Sequence, residues 1–266
     1  MPNPGPLLDV HCHILPGIDD GPADWSEALA MARMAVADGI STIAATPHQL
    51  GNYGCNDGET IRACCRQFGE LLRQHGVPLR VVPGADVRIE PDMIPKIRSG
   101  EVLTLADHRR HVLLELPHEL YFPLDRLLRS LHAARLVGVL SHPERNQGIL
   151  TRPRVLGHLV DAGCLLQVTA GSLTGTFGPQ IKSFAEWLVV EGLVAFIATD
   201  AHGPKSRRPL LKRAFDRVAE IAGQRKAWEL CSGNPGRVLA GQTVTRGQRK
   251  PRGGGFAQWF GWCRAG

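Results

Sequence analysis

No stretch of the 266-residue sequence stays apolar for the ~18 residues that a bilayer-crossing helix needs. The most apolar run, Phe184 to Thr199, is cut by Glu186 and Glu191, which excludes a membrane-spanning helix. The opening MPNPGPLLDV has neither a charged n-region nor an apolar h-region, so no secretory signal is read there and a cytoplasmic chain is expected. Zinc-knuckle spacing is missing too. The seven cysteines stand at 12, 55, 64, 65, 164, 231 and 263 with no CxxC pair. Their odd number and scatter fit no disulfide framework, and reduced thiols are expected. A net basic excess is absent from most of the chain. Residues 242–266 carry Arg246, Arg249, Lys250, Arg252 and Arg264 with no acid, so residues 1–241 keep only +1 of the total +6. A near-neutral body excludes recognition of a phosphate backbone, and no nucleic-acid partner is expected.

What is present is an alternation of short apolar runs and helical stretches. The strand candidates are Leu7–Val10, Ser41–Ala45, Leu79–Val82, Val112–Leu116, Val137–Leu140, Cys164–Val168 and Leu193–Ala198. Each is apolar on both faces, as in parallel strands covered by helices. Asp24-Trp25-Ser26-Glu27 reads as a capping box opening a helix to about Asp38, with Gly39 as its stop. Asp57 to His75 carries Ile61, Phe68, Leu71 and Leu72 at helical spacing. Further helices are predicted near 123–136, 152–162, 178–191, 207–222 and 225–240. The alternation predicts an α/β fold in one domain, a closed or nearly closed β/α barrel, with an open doubly wound sheet as the competing topology. The barrel is expected to occupy 1–241. The glycine-rich, basic 242–266 segment, with Phe256, Trp259, Phe260 and Trp262, reads as a flexible extension or, more sharply, as a weak membrane-surface or partner-docking segment.

Chemistry gathers at the strand ends. The first strand runs into Asp9-Val10-His11-Cys12-His13, the second into Thr46-Pro47-His48, the third into Gly84-Ala85-Asp86 and the fourth into Glu115. The fifth leads to Ser141-His142-Pro143-Glu144-Arg145 and the last to Thr199-Asp200-Ala201-His202. The C-terminal edge of parallel strands is the active-site face of such folds. Imidazole with carboxylate suits manganese, iron, zinc or cobalt. His11 and His13, two apart in an extended segment, point to one side. With Asp20 behind the first strand, these acids and histidines are too many for one ion, and two or three metals sharing a carboxylate are expected. Asp20 and Asp86 have a duller reading as helix caps. His75, His108, His111, His118, His132 and His158 are read as ordinary surface or core-edge residues.

LDVHCHILPGIDDG, AATPH, VVPGAD, LLELP, LSHPER and TDAHGPKSRRP, in order from Leu8 to about Leu239, resemble the motifs of the polymerase and histidinol phosphatase (PHP) superfamily. More narrowly, they resemble its metal-dependent bacterial protein-tyrosine phosphatases of the CpsB/YwqE type, which act in capsule and exopolysaccharide synthesis. The resemblance implies a distorted (β/α)7 TIM-like barrel with a trinuclear, manganese-preferring site, iron, cobalt, zinc or magnesium being the other candidates. His11, His13, Asp86 and Asp200 would hold one ion, Asp86, Glu115 and His142 the second, and Asp20, His48 and His202 the third. Arg145 and Arg207 would bind substrate phosphate, with Arg208 an equally placed neighbour of the latter. His202 or a metal would assist the leaving oxygen. The reaction implied is attack on phosphotyrosine by a metal-bridged hydroxide, and the partner a bacterial tyrosine autokinase with a phosphorylated tail. Position 86 departs from the family, which usually has Glu there, so the count of bound ions is the open point.

Three other readings compete with this one. Histidinol phosphate or another small phosphomonoester is the rival substrate within the superfamily. A non-catalytic metal-binding or docking module is the rival class. Cys231-Ser232-Gly233-Asn234-Pro235-Gly236-Arg237 fits the C-x5-R loop of cysteine phosphatases, but no His precedes the Cys and Val238 follows the Arg.

Overall fold

The computed structural model describes residues 5–244. Nine strands follow one another in the chain: β1 Leu7–Cys12, β2 Ile40–Ala45, β3 His48–Gln49, β4 Arg80–Pro83, β5 Asp86–Arg88, β6 His111–Glu115, β7 Val137–Ser141, β8 Leu165–Thr169 and β9 Phe196–Ala198. All seven predicted strands are there. The two extra ones, β3 and β5, are continuations of β2 and β4 past the Thr46-Pro47 and Gly84-Ala85 bends. Pro47 has no N–H to give a ladder, which is the local reason for the first break.

Every pairing among these strands is parallel. They form two sheets, β1-β2-β4 and β3-β5-β6-β7-β8-β9. Backbone bonds join the sheets into a ring. Thr46 N–H donates to the Cys12 carbonyl (2.9 Å) and Asp86 N–H to that of Pro47 (3.1 Å). On the other side Cys12 bridges Ala201, with Asp200 N–H on the His11 carbonyl (2.7 Å). The topology is a distorted seven-strand TIM-like barrel and not an open sheet. The distortion comes from β2 and β4, whose lower halves pair apart from β6 while their upper halves reach it through β3 and β5.

Val10, Ala44, Val82, Leu113, Val139, Leu165, Phe196 and Ala198 fill the interior, plugged from below by Leu105, Val238 and Val244. A larger apolar layer lies between the barrel and its helices. Half of the predicted capping box holds: the helix spans Trp25–Ala37 and the Asp24 side chain accepts from Glu27 N–H, while the Glu27 carboxylate accepts from Ala23 N–H and not from that of Asp24. The helix predicted over 225–240 is instead interrupted. Gln224–Trp228 and Asn234–Leu239 are joined by a π-turn at Glu229–Gly233, with Pro235 inside the second piece, where it can give no hydrogen bond to the turn before it. Short helices at Met93–Ser99, Gln147–Leu150 and Ala170–Thr174 were not predicted. Beyond position 244, the segment read as a basic extension lies outside the described residues.

Candidate metal centre

The centre begins at the upper end of β1. Asp9, His11 and His13 share one side of the extended chain, and all three are buried. Asp9 accepts from Thr199 N–H (3.0 Å), from the Thr199 hydroxyl and from His11 N–H (3.2 Å), which ties β1 to the segment after β9. The LPGIDDG turn then folds back over His13. Asp19 Oδ1 accepts from Gly21 N–H (2.9 Å), and a side chain at Gly21 would put its Cβ 2.7 Å from the His13 carbonyl oxygen, so only glycine closes this turn. Asp19 Oδ2 is left 2.7 Å from His13 Nδ1 and also accepts from His48 N–H (3.1 Å).

Three imidazoles are oriented in the same way. His13 Nδ1 meets Asp19, His11 Nδ1 meets Gln167 Oε1 at 2.8 Å, and His202 Nδ1 meets the Asp200 carbonyl at 3.0 Å. Each acceptor holds the proton on Nδ1 and turns the Nε2 lone pair inward, the usual outer support of a ligating histidine. His11 and His13 bring their Nε2 atoms within 3.3 Å of each other. Three groups of potential ligands result: His13, Asp20, His48 and His202; His11, His13 and Asp200; and His48, Asp86 and Glu115. Within each, the ligand atoms lie within 4.8 Å of one another, and the groups share His13 and His48.

The fit to divalent cations rests on polar atoms that the protein itself leaves unsatisfied. Among the described residues, both oxygens of the fully buried Asp86 and Nδ1 of His48 have no hydrogen-bond partner. Such atoms are costly to bury unless something else satisfies them. The shorter Asp86 still reaches the cluster, with Oδ2 3.5 Å from His11 Nε2 and 3.8 Å from His48 Nδ1. His142 falls in none of the three groups, its ring lying 5.8 Å from that of His11.

Electrostatics separates these histidines. Burial pulls the His11 imidazole toward its neutral form, but Asp200 and Asp86 outweigh it and raise its pKa to about 9. His48 is raised to about 9 against burial by Glu115, Asp86 and Asp20. His13 is driven well below its ordinary value by burial and then by His202, His48 and His11 around it. His142 falls to about 4, chiefly by burial. Asp86 and Asp200 are held low although burial opposes it, because cationic groups surround them. The charges are mutually dependent, as expected of a cluster built around added positive charge.

Two guanidinium groups flank the cluster. Arg145 Nη1 lies 2.5 Å and Arg207 Nη2 2.6 Å from the same oxygen, Oδ2 of Asp200. Glu144, buried beside Arg145, accepts from Thr169 N–H (2.9 Å) and the Ser172 hydroxyl (2.6 Å) and so pins the turn that carries Arg145. The Phe177 ring lies beneath the guanidinium at 4.3 Å. Arg207 is folded back by the His202 N–H bond to its own carbonyl (2.9 Å), whereas Arg208 is exposed. His142, Asp200 and Arg207 all have positive φ (32°, 51° and 46°). Non-glycine residues held there concentrate at functional sites. A cavity of about 200 Å³ opens over these groups.

The structure thus brings Asp20, His48, Glu115, His142, Arg145, Asp200, His202 and Arg207 to one cavity wall, with His11, His13 and Asp86 behind it. Among the described residues, Asp20 and Asp86 cap no helix, the neighbouring helices having Asp24, Asp57 and Asp92 at their N-caps. His118, read from sequence as an ordinary surface residue, also lines the cavity. Asp9, Asp19, Glu144 and Thr199 lie inside the quoted motifs but carry no reading of their own there, because each acts through a neighbour, and Gln167 lies outside every motif. The doubled acid Asp19-Asp20 was the one available signal. Cys231 is fully buried at the π-turn, and burial pushes its thiol far above the reactive range, which removes the cysteine-phosphatase alternative.

Fold and site together define a β/α-barrel protein equipped to hold several divalent cations beside paired arginine forks. The chain belongs to the CpsB/CapC family of capsular polysaccharide synthesis, which matches residues 7–240. It is 35% identical over 247 residues to the tyrosine-protein phosphatase YwqE of Bacillus subtilis, covering 92% of this chain and 96% of that protein. It is 31% identical to the putative tyrosine-protein phosphatase CapC of Staphylococcus aureus, over 79% of this chain and 82% of the relative. The crystal structure of YwqE, described there as a metal-dependent tyrosine phosphatase, superposes with a TM-score of 0.87 over 92% of this chain and all of that one.

Proposed function

We propose that this chain is a metal-dependent protein-tyrosine phosphatase of capsule or exopolysaccharide synthesis, with its catalytic barrel in residues 1–241. The observation that carries this reading is the meeting of three adjoining ligand groups with two guanidinium forks at one cavity. The ligands are His11, His13, Asp20, His48, Asp86, Glu115, Asp200 and His202, with His142 beside them, and manganese is the ion we assign. Divalent ions held there would lower the pKa of water toward neutrality and so supply the nucleophile.

The protein's own groups do the rest. Arg145 and Arg207 bind the peripheral phosphate oxygens and offset the charge that builds on them in the transition state. His202 sets Nδ1 against the Asp200 carbonyl at 3.0 Å, so its Nε2 would serve as a metal ligand and the departing oxygen would leave without a proton from it. None is required for a phenolate, whose parent pKa is ~10. The substrate is a phosphotyrosine protein, and the tail of a bacterial tyrosine autokinase fits that chemistry. Hydrolysis of a phosphotyrosine peptide with Mn2+, lost on chelation and restored by the metal, is the expected result. Activity that survives chelation, or faster turnover of histidinol phosphate, would sink the proposal.

A further inference from the structure

The rings of the centre form a continuous column from the buried core to the rim. His202 and His13 lie 3.9 Å apart, His13 and His48 4.5 Å, and His48 and Tyr53 5.2 Å. Tyr53 is the outermost member and the one that offers no ligand nitrogen. Its ring is nearly parallel to His48, at 19°.

The segment that carries Tyr53 is held firmly. Tyr53 N–H donates to the Leu50 carbonyl (3.0 Å), and Asn56 N–H donates to that of Tyr53 (3.0 Å). The Asn56 side chain bonds the Ile18 and His48 carbonyls at 2.8 and 2.9 Å, and Gln49 bonds the Asn56 carbonyl at 2.7 Å. Despite this anchoring, the tyrosine is only partly covered, belongs to neither apolar cluster, and bonds no described residue through its hydroxyl. A fixed aromatic ring with neither core packing nor a polar partner is poorly explained by stability alone.

The cavity needs such a ring. Apart from Leu116, its lining side chains are polar or charged, which suits a phosphate and not an aryl group. The ring of a phosphotyrosine begins two bonds from phosphorus and so lies outside the polar lining, where Tyr53, itself not a lining residue, stacks on the lining residue His48. We infer that Tyr53 is the aryl-recognition residue: the substrate ring lies against the tyrosine stacked on His48, and this contact sets the preference for aryl over alkyl phosphomonoesters. The inference rests on the phosphatase reading above and names the group that would give it selectivity.

Offset-stacked aromatic pairs contribute enough to shift binding by about 3- to 10-fold. The test uses the full chain loaded with Mn2+ and two non-hydrolysable probes, benzylphosphonate and methylphosphonate, with affinities read by calorimetry. The wild type should prefer benzylphosphonate. Tyr53→Leu should lower that preference by about 3- to 10-fold, and Tyr53→Phe should keep it. Equal weakening of both probes in Tyr53→Leu would mean that the ring merely supports His48, and would overturn the inference, as would an unchanged ratio. Because binding is read without turnover, a wild type that prefers the benzyl probe but does not hydrolyse phosphotyrosine would overturn the phosphatase reading and leave the role of Tyr53 standing.

Discussion

His11 and His111 are both buried histidines on barrel strands, and they titrate in opposite directions. His11 lies at the upper end of β1 among Asp200 and Asp86, and is raised to about 9. His111 opens β6 at the lower end, where burial, helped by Arg110 and His108, lowers it to about 4. Burial pushes both the same way, and the carboxylates decide the sign. The mouth of the barrel is assembled for charge and the base for apolar packing. Polar changes above should therefore alter chemistry, and apolar changes below should alter stability.

The largest effect is expected at the mouth. Asp200→Ala removes a shared ligand and the anchor of both arginines. Phosphotyrosine hydrolysis should fall by at least about 10³-fold, with metal content by mass spectrometry reduced and the far-ultraviolet circular dichroism unchanged. A folded variant with full activity would break the contrast at once. Leu165→Ala at the base should do the reverse, costing about 2–5 kcal/mol in denaturant unfolding while activity per folded molecule is kept. Arg145→Lys keeps the charge and loses the planar fork, so kcat/KM should drop by about 10²-fold without loss of bound metal. Asp19→Asn weakens the grip on His13 Nδ1 and should reduce metal affinity by about 10- to 100-fold in a chelator competition.

The smallest effect is a pH dependence at the base. Since the folded pKa of His111 is about 4 against an ordinary 6.5, the unfolded chain takes up the proton first between those values. Stability from this residue is complete above pH 6.5 and is lost as pH falls toward 4. The thermal midpoint of the wild type should fall by about 5 °C more over that range than that of His111→Leu. Equal slopes would show that the base has no such proton linkage.

Much of this was legible in the linear sequence. Strands buried on both faces announce themselves as unbroken apolar runs, and residues at their ends inherit a common edge. That is why His11, His48, Glu115, His142 and Asp200 stand out in the sequence alone. Two strands, β3 and β5, were invisible because a pair of residues after Pro47 and a trio after Ala85 are too short for a period. The interrupted 225–240 helix was missed because its apolar spacing continues through the π-turn.

The sequence by itself determined the seven main strands, their alternation with helices and the acids and histidines at the strand ends, because alternation and strand direction are local properties. Tertiary structure alone decided that Arg207 and not Arg208 faces Asp200, that His118 lines the cavity, and that Asp19, Gln167 and the Asp200 carbonyl set the imidazole tautomers. The His11–Gln167 bond spans 156 residues, over which no local pattern carries information, and even the short-range pair Arg207–Asp200 depends on the loop geometry that barrel closure imposes after β9.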